Sequence, residues 1–132
     1  MNGLLVAIGG GIGGGFRYFL SAAAMPYLIG DPQFPLATFL TNVSGAFLIG
    51  VAFGISERGY LPTKGWSFFA VGMLGGYTTF STFTFEALEL FIHGQYQPLL
   101  LSFLTGPVGL VAVVLGVVLV KGVRHKEHAS ER

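Results

Sequence analysis

The sequence contains no cysteine and few charged residues. Without cysteine the chain can form neither a disulfide framework nor a thiolate metal site. Charged residues make up 10% of the 132 residues, whereas soluble domains carry about 25%. The net charge of +1 gives no indication of a nucleic-acid partner. The scarcity of charge instead predicts that much of the chain lies in a lipid bilayer.

Long uncharged stretches divide the chain into four segments. Residues 34–56, 65–85 and 94–120 hold no charged side chain, and residues 2–30 hold Arg17 alone. Because a helix needs about 20 residues to cross the hydrocarbon layer, the sequence predicts an all-α membrane protein with four transmembrane helices. The predicted helices cover about 3–24, 36–55, 66–92 and 99–120.

The predicted helices form one transmembrane domain, residues 1–121, and the charged tail 122–132 is expected to be mobile. A turn is predicted at Gly30–Asp31–Pro32, and Pro107 should kink the fourth helix. By the positive-inside rule the flanking basic residues favour both termini in the cytoplasm, in a multi-pass protein of the cytoplasmic (inner) membrane. Those basic residues are Arg58, Lys64, Lys121, Arg124, Lys126 and Arg132.

Small residues recur at four-residue steps on the first two predicted helices. Lipid gives helices no hydrophobic reason to associate, so close packing of small residues does this work. The predicted ridges are Ala7, Gly11 and Gly15; Gly10 and Gly14; and Ala46, Gly50 and Gly54. Four short helices enclose little interior, so we expect an oligomer, most simply a dimer.

A polar cluster follows the glycine pair Gly75–Gly76. Five hydroxyl residues and three phenylalanines occupy residues 78–85. Each hydroxyl could bond a carbonyl four residues earlier, but five together predict that the third helix is broken near its centre. A break frees carbonyls that need a partner within the membrane, which could be a cation or the hydroxyls of other helices.

Four side chains each have two interpretations. Phe80 and Phe83 share a helical face, and their electropositive ring edges could receive a small anion and release it again, or the rings could pack against lipid and helices. Asn42 could donate to an anion or join two helices. Arg17 keeps its proton and could attract anions into a vestibule or brace the fold, for example against Glu86.

No serine–histidine–acid arrangement is present, so we expect no enzyme.

Three stretches resemble the CrcB/Fluc family of fluoride channels. They are the glycine-rich run 10–18 ending in Arg17-Tyr18, the run 38–45 around Asn42, and the run 75–83 with Glu86. They lie in order on the first three predicted helices, and the third is the most specific. The resemblance implies a fluoride-selective channel that exports fluoride passively and gives fluoride resistance. It also implies a dimer of antiparallel subunits with two pores along the subunit interface.

The resemblance also implies roles for individual residues. Gly75 and Thr78 would give backbone carbonyls to a central, structural sodium ion, and Arg17 would lie at the vestibule. The pore residues it implies are Phe80, Phe83, Asn42, Ser81, Thr82, Ser102 and Thr105.

The flanking charge departs from the family pattern. The family's homodimers insert in both orientations, yet here six basic residues flank one side and none the other. A homodimer and a heterodimer with an oppositely oriented paralogue therefore both stay open.

Two other classes of protein remain as alternatives to a channel. A small proton-coupled multidrug exporter would need an acid in the first helix, which has Arg17 instead. A non-transporting membrane assembly subunit would tolerate changes at Phe80 or Asn42.

Overall fold

The computed structural model describes residues 2–24 and 34–130, and all regular structure within them is helical. The all-α prediction is therefore confirmed for these residues. The predicted turn at Gly30–Asp31–Pro32 lies outside the described residues, and so does the flanking basic residue Arg132. The elements are α1 (Asn2–Ala24), α2 (Leu36–Glu57), α3 (Thr63–Trp66), a π-helix (Ser67–Leu74), α4 (Gly75–Tyr77), α5 (Ser81–Ile92), α6 (Tyr96–Ser102) and α7 (Thr105–Ser130).

Three stretches of the described chain are long and apolar enough to cross a membrane: Asn2–Ala23, Leu36–Glu57 and Tyr96–Gly122. The segment from α3 to α5, here called the third segment, is divided into helices that are individually too short. Large apolar side chains are exposed along every long helix, and few are buried. This distribution suits a chain whose surroundings are lipid, because lipid solvates apolar side chains.

The fourth segment, α6 and α7, differs from its prediction. The sequence predicts one helix over 99–120 with a kink at Pro107, but the helix is interrupted at Phe103 and Leu104, and α7 continues to Ser130. Pro107 lies in the first turn of α7, where a missing N–H is tolerated. Proline cannot donate to the carbonyl of Phe103, which instead accepts from the Gly106 N–H at 3.4 Å. The interruption therefore falls one turn before the proline.

The third segment is flanked by two glycines with a left-handed backbone conformation, and each of them terminates a helix. Gly59 has φ +75° and follows α2, which ends two residues later than predicted. Gly94 has φ +69° and follows α5, where the Gln95 N–H donates to the Leu90 carbonyl at 2.8 Å. This is the hydrogen bond of a Schellman motif, in which glycine takes the left-handed position without a Cβ clash.

Helix α1 packs against the π-helix and α4 through Gly9 and Gly13, and also through one of its two predicted ridges, Gly10 and Gly14, which contact Gly72 and Gly76. A Cβ at Gly9 would overlap the Phe68 carbonyl, and a Cβ at Gly13 would overlap the Met73 carbonyl. The predicted ridge of Ala7, Gly11 and Gly15 is exposed instead. The predicted ridge of Gly10 and Gly14 is therefore confirmed and that of Ala7, Gly11 and Gly15 is wrong, because four-residue steps of small residues occur on several faces of α1.

Helix α2 packs against α7 along the predicted ridge. A Cβ at Gly50 would overlap the Val113 carbonyl, and a Cβ at Gly54 would lie 2.8 Å from the Val120 side chain. Both glycines are buried, and the Ala46 methyl lies on the same contact. The small-residue ridge of the second helix is therefore confirmed.

Candidate functional site

The third segment is broken between α4 and α5, as the polar cluster predicts. Thr78 is extended, with φ −79° and ψ 156°, and helical structure resumes at Ser81. The hydroxyl of Thr78 donates to the Leu74 carbonyl at 3.0 Å, which closes the last turn before the break. Residues 78–80 leave the helical path, so their backbone groups need partners from elsewhere in the chain.

Asn42 on α2 supplies the main partner. Its Nδ2 donates to the Thr79 carbonyl at 2.9 Å, and the Thr79 N–H donates to its Oδ1 at 2.8 Å. The carboxamide thus satisfies both backbone groups of one residue, as a neighbouring strand would. An amide nitrogen has two hydrogens, so Nδ2 keeps one for a further acceptor. The two interpretations of Asn42 are therefore compatible: it joins two helices and it still has a donor.

The Thr79 side chain starts the second half of the third segment. Its Oγ1 accepts from the Thr82 N–H at 3.2 Å, which satisfies one of the free donors at the start of α5. The same oxygen lies 3.1 Å from the Thr82 hydroxyl and 3.3 Å from the Ser81 hydroxyl. Three hydroxyls therefore form one connected group at the break.

Arg17 on α1 spans the two halves of the third segment. Its Nε lies 3.4 Å from the Gly76 carbonyl on α4, and its Nη1 lies 3.5 Å from the Thr82 hydroxyl on α5. Both contacts are long for hydrogen bonds and are individually weak. Glu86 instead accepts from the Thr38 hydroxyl at 2.9 Å. The suggested brace between Arg17 and Glu86 is thus wrong; Arg17 contacts residues on either side of the break.

A cavity of about 400 Å³ opens beside the break and brings together four of the predicted pore residues, Asn42, Phe80, Phe83 and Thr105. The rings of Phe80 and Phe83 are 6.0 Å apart at 36°. The side chain of Phe80 is 77% exposed in the single chain. The remaining lining residues are uncharged: Ala46, Thr78, Thr79, Phe103, Gly106 and Gly109.

Phe103 is the one aromatic lining residue that the sequence does not predict. Its ring meets the ring of Phe83 at 82°, with centroids 5.9 Å apart. It comes from the interruption of the fourth segment, 20 residues along the chain from Phe83. No short-range spacing relates the two rings, so only the fold brings them together.

Ser102 and Thr105 are placed differently from each other. Ser102 is buried, and its hydroxyl donates to the Leu99 carbonyl at 2.7 Å. It is not among the residues that line the 400 Å³ cavity. Thr105 lines that cavity, and its hydroxyl donates to the Ser102 carbonyl at 2.7 Å. The structure therefore brings Thr105, and not Ser102, to the aromatic rings.

Gly75 and Thr78 line a second cavity, of about 280 Å³, together with Asn42 and Val113. Among the hydrogen bonds of the described residues, none is donated to the Gly75 or Thr78 carbonyl across the break. The described residues also include no cluster of histidine and acidic side chains that could hold a metal. Backbone carbonyls are hard oxygen ligands suited to hard cations, so these two residues fit the implied sodium site.

Comparison with known proteins gives consistent results. A family model described as CrcB-like protein, Camphor Resistance (CrcB) matches residues 4–117. The chain is 39% identical over 123 residues to a protein of Thermosipho melanesiensis named fluoride-specific ion channel FluC, covering 92% of this chain and 98% of that protein. It is 37% identical over 116 residues to a protein of the same name from Phocaeicola vulgatus, covering 86% and 93%.

A third relative is more similar over a shorter length. It is fluoride-specific ion channel FluC 4 of Brucella abortus, 43% identical over 102 residues, which are 75% of each chain. The region that the family model matches contains the glycine contacts of α1, the amide of Asn42 and the broken third segment. A family model that covers most of the chain and relatives of nearly the same length place this chain in the CrcB family.

Proposed function

We propose that the protein is a fluoride-selective channel that lets fluoride leave the cell passively. The observation that carries the proposal is the cavity at the break, where two phenylalanine rings lie beside the Asn42 amide with no charged side chain among the lining residues. A full positive charge would hold a small anion tightly, whereas ring edges and one amide N–H attract it weakly enough to release it. Passive export would give fluoride resistance.

The residues around the break have separate tasks in this proposal. Phe80 and Phe83 present ring edges to the anion, and Asn42 offers its remaining N–H. The hydroxyls of Ser81, Thr82 and Thr105 continue the polar path, with Ser102 a candidate farther along. These groups replace part of the water that fluoride must give up on entering the membrane. Arg17 adds positive potential that draws anions towards the vestibule.

A second subunit completes the pathway. In the single chain Phe80 is mostly exposed and the cavity is open on one side, so a lone subunit gives no enclosed path. We infer four transmembrane segments per chain, with the third segment crossing as two halves, and an antiparallel dimer with two pores. The partner is a second copy or an oppositely oriented paralogue, and the one-sided flanking charge supports the paralogue.

The backbone carbonyls of Gly75 and Thr78, one set from each subunit, would hold the central sodium ion. Bound there, sodium supplies positive charge that satisfies carbonyls which the break has freed. The chain's own contribution is to give the N–H groups that a helix would direct to these carbonyls other acceptors: the Thr79 N–H donates to Asn42 Oδ1, and the Thr82 N–H donates to Thr79 Oγ1. The ion is structural and takes no part in moving fluoride.

The function is tested by flux from liposomes. Protein in vesicles loaded with fluoride and chloride should release fluoride when a potassium ionophore removes the opposing voltage, and should retain chloride. Phe80→Ile, which keeps bulk but removes the ring, should slow release at least about tenfold, corresponding to about 1.4 kcal/mol. Gel filtration should show that this variant remains assembled.

Each outcome separates one class of function. Equal release of both anions would contradict fluoride selectivity. Proton-dependent uptake of a cationic dye without fluoride release would identify an exporter. Assembled protein that releases nothing, alone or co-expressed with an oppositely biased paralogue, would identify a non-transporting subunit.

A further inference from the structure

The ring of Phe83 contacts a ring of the fourth segment. Phe103 meets Phe83 at 82° with centroids 5.9 Å apart, so the edge of one ring points at the face of the other. This is the arrangement that ring quadrupoles favour. Phe80 lies at a similar distance from Phe83, 6.0 Å, but at 36°, which is not a T-shaped arrangement. Of the two contacts of Phe83, the one with Phe103 therefore has the more favourable geometry.

The interruption of the fourth segment gives Phe103 its position. Phe103 follows the last residue of α6, and its carbonyl accepts from the Gly106 N–H because Pro107 has no N–H to donate. The ring of Phe103 lines the cavity that holds Phe80, Phe83 and Asn42. A ring on the third segment is thus held by a ring whose backbone belongs to another segment.

We propose that Phe103 is a positioning residue of the pore, which holds Phe83 with its ring edge towards the anion path. The inference rests on the proposed channel function. Ring orientation matters because the edge attracts an anion and the face repels it. A Phe83 ring that turns freely spends part of its time presenting the repelling face. Fixing the ring therefore favours fluoride entry and its selection over a larger anion.

The test replaces the ring and measures selectivity as well as rate. Phe103 is 56% exposed in the single chain, so shortening it should leave the fold intact. Phe103→Leu should slow fluoride release from liposomes about two- to tenfold, the range expected for losing one aromatic pair. The fluoride-to-chloride release ratio should fall with it. Phe103→Tyr keeps the ring and should retain both values.

The structure offers a matched control. Phe53 also makes a T-shaped aromatic contact, with Trp66 at 6.4 Å and 69°, away from the cavity. Phe53→Leu removes an equivalent pair, so it should change neither the rate nor the ratio. A loss of selectivity in both variants would indicate a general packing effect and would overturn the inference.

A double variant checks that Phe103 acts through Phe83. Phe83→Leu combined with Phe103→Leu should be no slower than Phe83→Leu alone, because the second change has no ring left to orient. Additive losses of release rate in the double variant would overturn the inference. So would a Phe103→Leu variant that keeps the release rate and the fluoride-to-chloride ratio of a fluoride-selective wild-type protein. If Phe103→Leu does not assemble, Phe103→Met replaces it. A wild-type protein that passes no fluoride would contradict the proposed function, and the inference with it.

Discussion

The third and fourth segments are both interrupted, but their interruptions are stabilised in different ways. The third-segment break, at residues 78–80, has partners on two other helices: Asn42 on α2 pairs with Thr79 inside the break, and Arg17 on α1 contacts residues on either side of it. The fourth-segment interruption, at residues 103 and 104, is closed locally, since the Leu104 N–H donates to the Leu101 carbonyl at 3.0 Å.

The difference follows from the cause of each interruption. Hydroxyl residues compete with the helical backbone for hydrogen bonds, so the third segment leaves whole peptide groups free and needs distant partners. Pro107 lacks its own donor, and one tighter turn absorbs the change. A break stabilised by side chains of other helices couples those helices to one another. An interruption closed by a backbone hydrogen bond within its own segment mainly redirects the chain. The first is suited to forming a site and the second to presenting a side chain to it.

The largest effect is expected when the third-segment break loses its partner. Asn42→Ala leaves both backbone groups of Thr79 unpaired. Two intramembrane hydrogen bonds are worth about 1–3 kcal/mol together, so the melting temperature in detergent should fall. Fluoride release should fall at least about tenfold. Ser56→Ala, near the end of the same helix, is the control and should behave as wild type.

Asn42→Asp separates the two roles of the side chain. A carboxylate can still accept from the Thr79 N–H but offers no N–H and repels an anion. We expect a smaller loss of melting temperature than with alanine and an equal or greater loss of flux. Wild-type stability and flux in both variants would show that the break does not depend on α2.

An intermediate effect is expected from repairing the fourth-segment interruption. Pro107→Ala restores an N–H that can reach the Phe103 carbonyl and continue the helix. The Phe103 ring should then shift away from Phe83, and fluoride release should slow about two- to fivefold, within the range for one aromatic pair. The melting temperature should stay the same or rise. Unchanged flux with a continuous helix, seen by circular dichroism as increased helicity, would mean that the interruption is not needed.

The smallest effect is expected at the second partner of the third-segment break. Arg17 makes contacts of 3.4 and 3.5 Å, which are too long to contribute much as hydrogen bonds. Its charge is therefore the more important property. Arg17→Lys keeps the charge and should hold flux within about twofold, whereas Arg17→Gln should reduce it further and weaken its dependence on ionic strength. A large loss with lysine would instead assign Arg17 to bridging the break.

Several features of the site could be predicted from the sequence because their causes are local. The polar cluster in residues 78–85 predicts the break, and Phe80 and Phe83 share a face because they are three residues apart. The ridge containing Gly50 and Gly54 was recognisable because it occupies one face at four-residue steps. In each case the determining residues lie within one or two helical turns of each other.

Other features depended on which helix faces meet. The sequence alone determined that the chain is helical, apolar and broken in its third segment, because charge content and short-range competition for hydrogen bonds decide these properties. Only the tertiary structure decided that Gly13 and not Gly11 meets the third segment, and that Phe103 meets Phe83. Lipid-facing and helix-facing surfaces are both apolar in a membrane, so hydrophobic pattern does not distinguish them, and the contacts are fixed by how closely whole backbones can approach.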